Sequence, residues 1–329
     1  MKLSIVATLY KSAPYISEFY QRATAAAQEF AENDYEIILV NDGSPDNSLE
    51  LAVALTEKDS HVLVVDLSRN FGHHKAMMTG LAQSKGENVF LIDSDLEEDP
   101  DWLNLFAKQR VIEKCDVVFG VQEQRKGGVF ERLTGQWYYQ LFRLFTKINL
   151  PRNLTTARLM TRRYVDALLE HREREINIAG LWLITGFAQH PVMVKKLSLH
   201  RSTYTFSRKM AYIVNSVTSF SNMPLVMIFK TGLAIFILSL SYTSYLLLNW
   251  LFLAKPLSGW TSVMASIWML GGLIISFIGI VGIYISKIFS ETKQRPYTIV
   301  RAIHQSQNEV TKRNQSVQTC KGELTCNPE

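Results

Sequence analysis

Five carboxylates crowd into seven residues directly after an apolar run of the chain: Asp93, Asp95, Glu97, Glu98 and Asp99. Their mutual repulsion is costly unless a cation neutralises it. An all-oxygen ligand set favours a hard ion, Mg²⁺ or Mn²⁺, bound through one or two carboxylates together with substrate phosphates. The alternative is a solvated helix N-terminus, because acidic side chains also favour that end of a helix.

A second polar segment, Asn41-Asp42-Gly43-Ser44-Pro45-Asp46, follows another apolar run. Asp, Gly, Ser and Pro are ordinary turn formers, so the segment predicts a turn. The carboxylate of Asp42 can also accept hydrogen bonds from the imide of a nucleobase. The residue types alone do not choose between these two interpretations.

The first 120 residues alternate short apolar runs with helical patterns. Strands rich in Ile, Val and Leu, separated by single helices, indicate an α/β fold with a mostly parallel sheet covered on both faces. The predicted strands are Leu3–Leu9, Glu36–Asn41, His61–Asp66, Asn88–Ile92 and Asp116–Gly120. The predicted helices are Pro14–Glu32, Pro45–Glu57, His73–Ser84 and Asp101–Glu113.

Ligands of such sheets bind beyond the carboxyl ends of the strands. Three polar clusters follow predicted strands at those ends: Tyr10-Lys11, the segment from Asn41 to Ser44, and Asp93-Ser94-Asp95. We therefore expect the three clusters to meet at one edge of the sheet and to form the binding site.

Charged residues nearly vanish between residues 231 and 286. None occurs in the 24 positions from Thr231 to Ala254 or in the 31 positions from Pro256 to Ser286. About 20 apolar residues suffice to cross a hydrocarbon core of roughly 30 Å. Two membrane spans are therefore predicted, and two buried helices of a soluble domain are the alternative.

Basic residues flank the two apolar runs, whereas the connection between them carries only Lys255. The positive-inside rule then places both termini, and the bulk of the chain, in the cytoplasm. The basic flanks are Arg201, Arg208 and Lys209 before the first run, and Lys287, Lys293, Arg295 and Arg301 after the second.

The overall composition excludes little by itself. The net charge of +5 suits an anionic membrane surface or phosphate substrates and does not indicate a nucleic-acid partner. The three cysteines, Cys115, Cys320 and Cys326, lack metal-ligand spacing, as expected for reduced thiols in the cytoplasm. No glycine-rich dinucleotide or P-loop motif follows a predicted strand, so phosphate recognition is assigned to metal and arginine.

Five segments of the chain occur in a recognisable order: VNDGSPDNS (40–48), LSRNFGHHKAMMTGL (67–81), IDSDLEEDP (92–100), RLMTRRYVDAL (158–168) and STYTF (202–206). Together these segments resemble family 2 glycosyltransferases, in the branch of dolichol-phosphate mannose synthase and the bacterial polyprenyl-phosphate (bactoprenol) glycosyltransferases. The resemblance implies a GT-A type nucleotide-sugar domain, followed by interfacial helices and two transmembrane helices. It also implies inverting transfer of one sugar from a nucleotide-sugar to a membrane polyprenyl phosphate.

The resemblance also assigns roles to residues of the acidic segment and its neighbours. Tyr10 and Asp42 would contact the nucleotide base, and Asp93 the nucleotide-sugar. Asp95 and Glu97 would hold the Mg²⁺ or Mn²⁺, although relatives usually carry Gln at the position of Glu97. His73 either touches the substrate or is a structural, hydrogen-bonded histidine.

Three arginines complete the predicted catalytic set of Asp93, Asp95, Arg125, Arg132 and Arg158. Arg125 and Arg132 resemble the family's phosphate-binding arginines, since a planar guanidinium grips phosphate oxygens well. Solvated surface arginines are the alternative. Arg158 opens the matching segment RLMTRRYVDAL.

Two positions depart from the family pattern. Ser12 stands where relatives commonly carry Glu, and Thr156 stands where they often carry an Asp proposed as a base or a sugar ligand. A non-catalytic membrane scaffold on a transferase fold therefore remains the alternative function, as does a transferase with another membrane acceptor. A processive polysaccharide synthase is disfavoured because the chain lacks a Gln-x-x-Arg-Trp signature and further spans.

The predicted organisation has four parts: a glycosyltransferase domain (1–203), a juxtamembrane amphipathic segment (204–223), two transmembrane helices (224–286) and a cytoplasmic tail largely disordered at its end (287–329). The predicted location is the bacterial inner membrane, as a multi-pass protein. The predicted partners are the nucleotide-sugar, the polyprenyl phosphate, the lipid bilayer, further copies of the chain and a flippase that acts on the product. The product would serve modification of a cell-envelope glycan such as O-antigen, lipopolysaccharide or a wall polymer.

Overall fold

The computed structural model describes residues 1–122, 153–173, 177–197, 218, 221–252 and 259–306. The chain divides into two compact units. The sheet unit comprises Met1–Val129, Leu150–Thr203 and Pro296–Glu329. The helical unit comprises Phe130–Asn149 and Tyr204–Arg295.

The sheet unit is built on one eight-stranded sheet, with the strand order β7-β5-β6-β4-β1-β2-β3-β8. The four central strands β4, β1, β2 and β3 are parallel, and β7 is parallel to β5. Strand β6 is antiparallel to both β4 and β5, and β8 is antiparallel to β3. The strands are β1 Leu3–Leu9, β2 Tyr35–Asn41, β3 Val62–Leu67, β4 Asn88–Asp93, β5 Val117–Gln122, β6 Leu154–Thr161, β7 Gln189–Val194 and β8 Val300–His304.

Helices cover both faces of this sheet, which explains why its central strands are almost entirely buried and mostly apolar. Helices α1, α2 and α4 pack on one face, and α3 and α5 pack on the other. The helices of this unit are α1 Ile16–Ala31, α2 Ser48–Lys58, α3 His73–Gln83, α4 Trp102–Glu113, α5 Arg162–Leu169 and α6 Ile178–Ile184.

The structure confirms the mostly parallel α/β sheet and the five strands and four helices predicted in the first 120 residues, with bounds that differ by three residues or fewer. Strands β6, β7 and β8 were not predicted. Strand β8 lies in the segment assigned to the tail after residue 287, so the sheet recruits chain from beyond the second apolar run. The end of that tail, 307–329, lies outside the described residues.

The helical unit contains two long helices, α7 Met223–Phe252 and α8 Trp260–Thr292. Among the described residues, one helical segment, Met269–Thr292 in α8, is long and apolar enough to cross a membrane, judged by length and composition. Helix α7 contributes a shorter apolar stretch, Met223–Ile235. The structure thus offers one candidate span where the sequence predicts two. Most of the predicted juxtamembrane segment, 204–223, lies outside the described residues.

Gly80 sets the distance between helix α3 and the sheet. A Cβ at this position would lie 2.5 Å from Val6 Cγ1 and 2.8 Å from Val40 Cγ2. Both distances are far below van der Waals contact, so α3 approaches the strands as closely as a glycine allows. This contact matters for the site because α3 begins with His73.

We expect Gly80→Leu to destabilise the sheet unit. Overpacking a close helix–sheet contact typically costs about 1–3 kcal/mol, which outweighs the gain of up to about 1 kcal/mol in helix propensity over glycine. Thermal unfolding in detergent, followed by circular dichroism, should show a midpoint several degrees lower. Ala82→Leu, at an exposed position of the same helix, is the matched control. Equal midpoints for the two variants would contradict the close packing.

Candidate active site at the carboxyl ends of the central strands

Asp93, the last residue of β4, is held by side chains from two other elements. Its Oδ2 accepts a hydrogen bond from Thr156 Oγ1 at 2.9 Å, and its Oδ1 lies 3.2 Å from His73 Nε2. The other ring nitrogen of His73 lies 3.0 Å from Oγ1 of Thr8, the strand residue opposite Asp93. The first residue of α3 and the start of β6 therefore meet on Asp93.

His73 and Asp93 shift each other's ionisation. Burial alone would lower the pKa of His73, but contact with the Asp93 carboxylate and its charge raise it above its usual value. Burial would raise the pKa of Asp93, but His73 and the charge of Lys196 hold it below its usual value. Both shifts favour an imidazolium beside an ionised carboxylate. His73 thus makes the contacts expected of a structural, hydrogen-bonded histidine. It also lies at the sheet edge where a substrate-contacting residue is expected.

Asp95 lies two residues after Asp93, in the loop that follows β4, and stabilises a turn of that loop. One of its oxygens accepts the backbone N–H of Glu97 at 3.0 Å, and Leu96 between them adopts a left-handed backbone conformation with φ of 59°. Burial and the charge of Asp93 raise the pKa of Asp95. An ionised Asp95 therefore gains from a nearby cation.

Glu98 is a fully buried carboxylate in this loop. Its two oxygens accept the backbone N–H groups of Thr156 and Ala157 at 2.9 and 2.8 Å. Burial and the charge of Asp93 raise the pKa of Glu98 to about 7. Glu98 thus fastens the acidic segment to strand β6. From the sequence, Glu98 was only one of five acids in the segment. Its separate role was not predicted, because its hydrogen-bond partners are backbone groups of β6, a strand that was not predicted.

Lys196, two residues after β7, places its positively charged ammonium group beside the acidic segment. Its Nζ lies 3.3 Å from Glu97 Oε2 and 3.5 Å from Glu98 Oε1. The backbone is anchored beside it, since Leu197 N donates to the Glu97 carbonyl at 2.8 Å. Sequence reasoning missed Lys196, because without β7 nothing places this residue near the acids.

Arg158 differs from the arginine expected to face a substrate. Its side chain is buried, and it donates to the backbone carbonyls of Thr156 and Thr155 at 3.2 and 3.4 Å. Its guanidinium carbon lies 2.8 Å from the centroid of the Trp182 ring. Burial lowers the pKa of Arg158 to about 9. This geometry supports the start of β6, on which Asp93 and Glu98 depend, and gives Arg158 a positioning role.

Asp42 is also engaged by the protein itself. Its Oδ1 and Oδ2 accept the backbone N–H groups of Phe71 and Gly72 at 2.7 and 3.0 Å, and the residue is 2% exposed. Gly43 beside it has φ of 59°, and a Cβ there would lie 2.4 Å from Asn70 N. Both interactions press the turn after β2 against the segment before α3. Tyr10, by contrast, is 49% exposed at the same edge.

Small hydroxyl side chains join the turn after β2 to the acidic segment. Ser48 Oγ accepts the backbone N–H of Ser12 at 3.0 Å. Ser94 Oγ donates to the carbonyl of Thr8 at 2.7 Å and lies 3.1 Å from Ser12 Oγ. Ser12, the departure noted in the sequence, is 5% exposed in this position.

The residues of the acidic segment fit a hard cation in part. Among the described residues, no group of three or more His, Cys, Asp or Glu side chains is arranged to hold a metal. However, the buried Asp93 Oδ1 makes no hydrogen bond of good geometry, and Asp95 lies beside it with a raised pKa. Two carboxylates plus substrate phosphates form an ordinary Mg²⁺ environment. The predicted phosphate ligands Arg125 and Arg132 lie outside the described residues.

A family model described as Glycosyl transferase family 2 matches residues 4–169, which contain β1 from its second residue, β2–β6, α1–α5 and the acidic segment. The chain belongs to glycosyltransferase family 2. This family membership agrees with the GT-A-like α/β fold described above, and the protein is a glycosyltransferase.

Relatives of this glycosyltransferase match it along most of its length. A Mycobacterium tuberculosis protein named as a glycosyltransferase is 54% identical over 93% of this chain and 89% of its own. A bactoprenol glucosyl transferase from the SfII prophage of Shigella flexneri is 28% identical over 92% of this chain and 99% of its own. The crystal structure of Staphylococcus aureus TarS 1–349 with UDP-GlcNAc covers 67% of this chain and 66% of its own, with a TM-score of 0.44 and 18% identity.

The His73–Asp93 pair predicts a pH-dependent contribution to the stability of the glycosyltransferase. Because the folded-state pKa of His73 is raised, its stabilisation is complete below about pH 6.5, the unfolded value, and is lost as the pH rises through the folded value. His73→Gln keeps a hydrogen-bond donor and removes the titration. We expect the midpoint difference between the wild type and His73→Gln to be largest at pH 6 and to shrink towards pH 9.

The measurement is a series of thermal unfolding curves in detergent across that pH range. His171→Gln, a histidine outside the site, serves as the control for the substitution itself. A His73→Gln difference that stays constant or grows with pH would show that the two side chains are not a charge pair.

Proposed function

We propose that this glycosyltransferase transfers one sugar, with inversion at the anomeric carbon, from a nucleotide-sugar to a polyprenyl phosphate in the bacterial inner membrane. The observation that carries the proposal is the placing of the acidic segment, Asp93 to Glu98, at the same sheet edge as the Asp42 turn in a family 2 fold. The match to a bactoprenol glucosyl transferase over nearly its whole length supports a polyprenyl acceptor.

The nucleotide of the donor would lie against the loops after β1 and β2. The half-exposed ring of Tyr10 offers an aromatic face for a base. Asp42 already accepts two backbone hydrogen bonds, so its main contribution is to fix segment 69–72 as a wall of that pocket. When segment 69–72 is held in one position, the donor is bound in one orientation before any bond is broken.

Mg²⁺ or Mn²⁺ at this edge would be held by Asp95 and Glu97, with the sugar diphosphate supplying further oxygens. When bound, the ion stabilises the negative charge that develops on the departing diphosphate. Asp93 is held in place by His73 and Thr156, which orients its carboxylate towards the sugar end of the donor. Lys196 adds a second positive charge beside these acids.

The acceptor end of the reaction needs little proton chemistry. A phosphate monoester has its second pKa near about 6 and is already ionised at neutral pH, so it can attack the anomeric carbon without a strong base. A neutral Thr156 at this place is therefore compatible with transfer. Positioning the two substrates and stabilising the leaving group are the remaining tasks.

Strand pairing bears on how the chain meets the membrane. Strand β8 follows α8 along the chain and pairs with β3, so segments before α7 and after α8 belong to one sheet and lie on one side of any bilayer. An odd number of crossings between them is excluded. If Met269–Thr292 spans the membrane, a second crossing is needed, and within the described part of the chain the apolar helix α7 can supply it. We therefore propose a two-span hairpin with both termini cytoplasmic.

This hairpin predicts that the connection between the two helices is accessible from outside the cell. In a background where Cys115, Cys320 and Cys326 are serine, we expect Lys255→Cys to react with a membrane-impermeant maleimide on intact spheroplasts. The control Glu32→Cys, in the sheet unit, should react only after lysis. Protection of Lys255→Cys until lysis would rule out the hairpin, and labelling of Glu32→Cys on intact spheroplasts would reverse the orientation.

The transfer reaction itself is tested with purified protein in detergent. Undecaprenyl phosphate and a panel of labelled nucleotide-sugars are incubated with and without EDTA, and lipid-linked monosaccharide is measured. We expect product only when metal is available, and we expect Asp95→Asn to lower the rate by at least about 100-fold, as for loss of a group that stabilises the transition state. Asp101→Asn, an exposed acid nearby, is the matched control and should keep wild-type activity.

Two outcomes would contradict the proposal. Transfer to a free sugar in place of the lipid phosphate would identify another acceptor. The absence of transfer with every donor, from a protein that inserts and folds normally, would favour a non-catalytic scaffold. A role in envelope-glycan modification, a flippase partner and a homo-oligomer stay predictions.

A further inference from the structure

Strand β8 carries a β-bulge, and Arg301 is its extra residue. Ala302 pairs with Asp66 and Val300 pairs with Leu67, so one step along β3 corresponds to two steps along β8. The bulge leaves Arg301 without a partner in the strand register. Bulges change the direction in which a side chain points and recur beside functional sites. The question is therefore what the redirected Arg301 reaches.

The guanidinium of Arg301 contacts two points at the end of β3. Its Nη1 lies 3.5 Å from Asp66 Oδ2, and its Nη2 donates to the carbonyl of Ser68 at 2.6 Å. The backbone reinforces this contact, because Ser68 N donates to the carbonyl of Ile299 at 2.9 Å. A planar guanidinium can serve two acceptors at once, which a lysine ammonium does less precisely.

Asp66 passes this contact on to the turn after β2. Asn41, opposite Asp66 in the β2–β3 register, donates from Nδ2 to Asp66 Oδ1 at 2.8 Å. Its Oδ1 in turn accepts the backbone N–H of Ser44 at 3.2 Å. A continuous chain of polar contacts thus runs from Arg301 to the turn that contains Asp42.

Ser68 leads to the other wall of the same pocket. It is followed directly by segment 69–72, whose backbone packs on Gly43 and donates to Asp42. Arg301 therefore contacts the residue just before segment 69–72 directly and reaches the turn after β2 through Asp66 and Asn41. The Arg301 side chain is 58% exposed, so its ion pair with Asp66 contributes little to global stability. Its effect is expected in local geometry.

We propose that Arg301 is a positioning residue for the donor pocket, and that the strand returning after the second apolar helix sets the pocket through Asp66 and Ser68. The inference rests on the proposed function in that the pocket is taken to bind the nucleotide of the donor. It goes beyond that function by assigning a role in donor binding to β8, a strand that begins at Val300, whereas β4 ends at Asp93.

The first test measures pocket order without any ligand. Hydrogen exchange, followed by mass spectrometry on the full chain in detergent, compares the wild type with Arg301→Ala, Arg301→Lys and the control Arg172→Ala. We expect peptides covering residues 41–48 and 66–72 to exchange about tenfold faster in Arg301→Ala. Arg301→Lys should fall between this variant and the wild type, and Arg172→Ala should match the wild type.

The second test measures donor use. With the nucleotide-sugar that the wild type uses best, Arg301→Ala should raise the donor KM by about three- to tenfold and leave kcat within about twofold, because only binding geometry is changed. Arg301→Lys should restore part of the KM. If Arg301→Ala lowers expression or folding, Asp66→Asn provides the same comparison from the other end of the contact. The double variant should be no worse than the more affected single variant.

The outcomes separate this inference from the proposed function. A wild type that binds no nucleotide and transfers no sugar defeats the proposed function, while the exchange data still decide whether Arg301 orders the two segments. Unchanged exchange in both Arg301→Ala and Asp66→Asn overturns the inference, and so does an unchanged donor KM in an active enzyme. A fall in kcat with no change in KM would also overturn it.

Discussion

The burial of several carboxylates at one end of the sheet is the constraint on which the site depends. Glu98 is fully buried and Asp93 and Asp95 lie beside it, so each ionised group raises the cost of the others. Buried charges are tolerated only when paired and hydrogen-bonded. The chain meets this requirement with the imidazole of His73, the ammonium of Lys196 and two backbone N–H groups of β6.

This constraint gives a physical reason for Thr156. Its hydroxyl lies 2.9 Å from Asp93 Oδ2. An aspartate in its place would put a second carboxylate beside that of Asp93, and one of the two would have to take up a proton. With Glu98 already carrying a raised pKa next to Thr156 N, a further acid would compete for the same cations. A hydroxyl instead orients Asp93 without adding charge. Thr156, the departure from the family pattern, thus lies in a cluster of buried acids where Glu98 is already present and a further negative charge would be unfavourable.

Local periodicity accounts for the part of the fold that the sequence predicts. Strands β1–β5 and helices α1–α4 are apolar runs of the expected length in alternation, and their order alone places Asp93, Asp42 and Tyr10 at one edge. Strands β6, β7 and β8 depend on pairing over long chain separations, and β8 is only five residues long and largely exposed. The roles of Glu98, Lys196 and Arg158 follow from those strands and were therefore invisible. The hydrogen bonds of Asp42 with the backbone of Phe71 and Gly72 were also not predicted, because the sequence pattern does not show backbone partners; its contact with a nucleotide base stays a prediction.

Strand β8 connects the segment that follows the two apolar helices to the sheet that carries the proposed donor site. An exposed strand edge invites unwanted pairing unless it is short, bulged or charged, and β8 is short, carries a bulge and bears Arg301. Yet edge protection alone would not require Arg301 to reach Asp66 and Ser68, because any charge pointing to solvent would serve. The particular contacts tie the returning strand to Asp66 and Ser68, next to the two segments proposed to bind the nucleotide. Under that proposal, the geometry of the donor pocket depends on a strand that forms only after the chain has passed through both apolar helices.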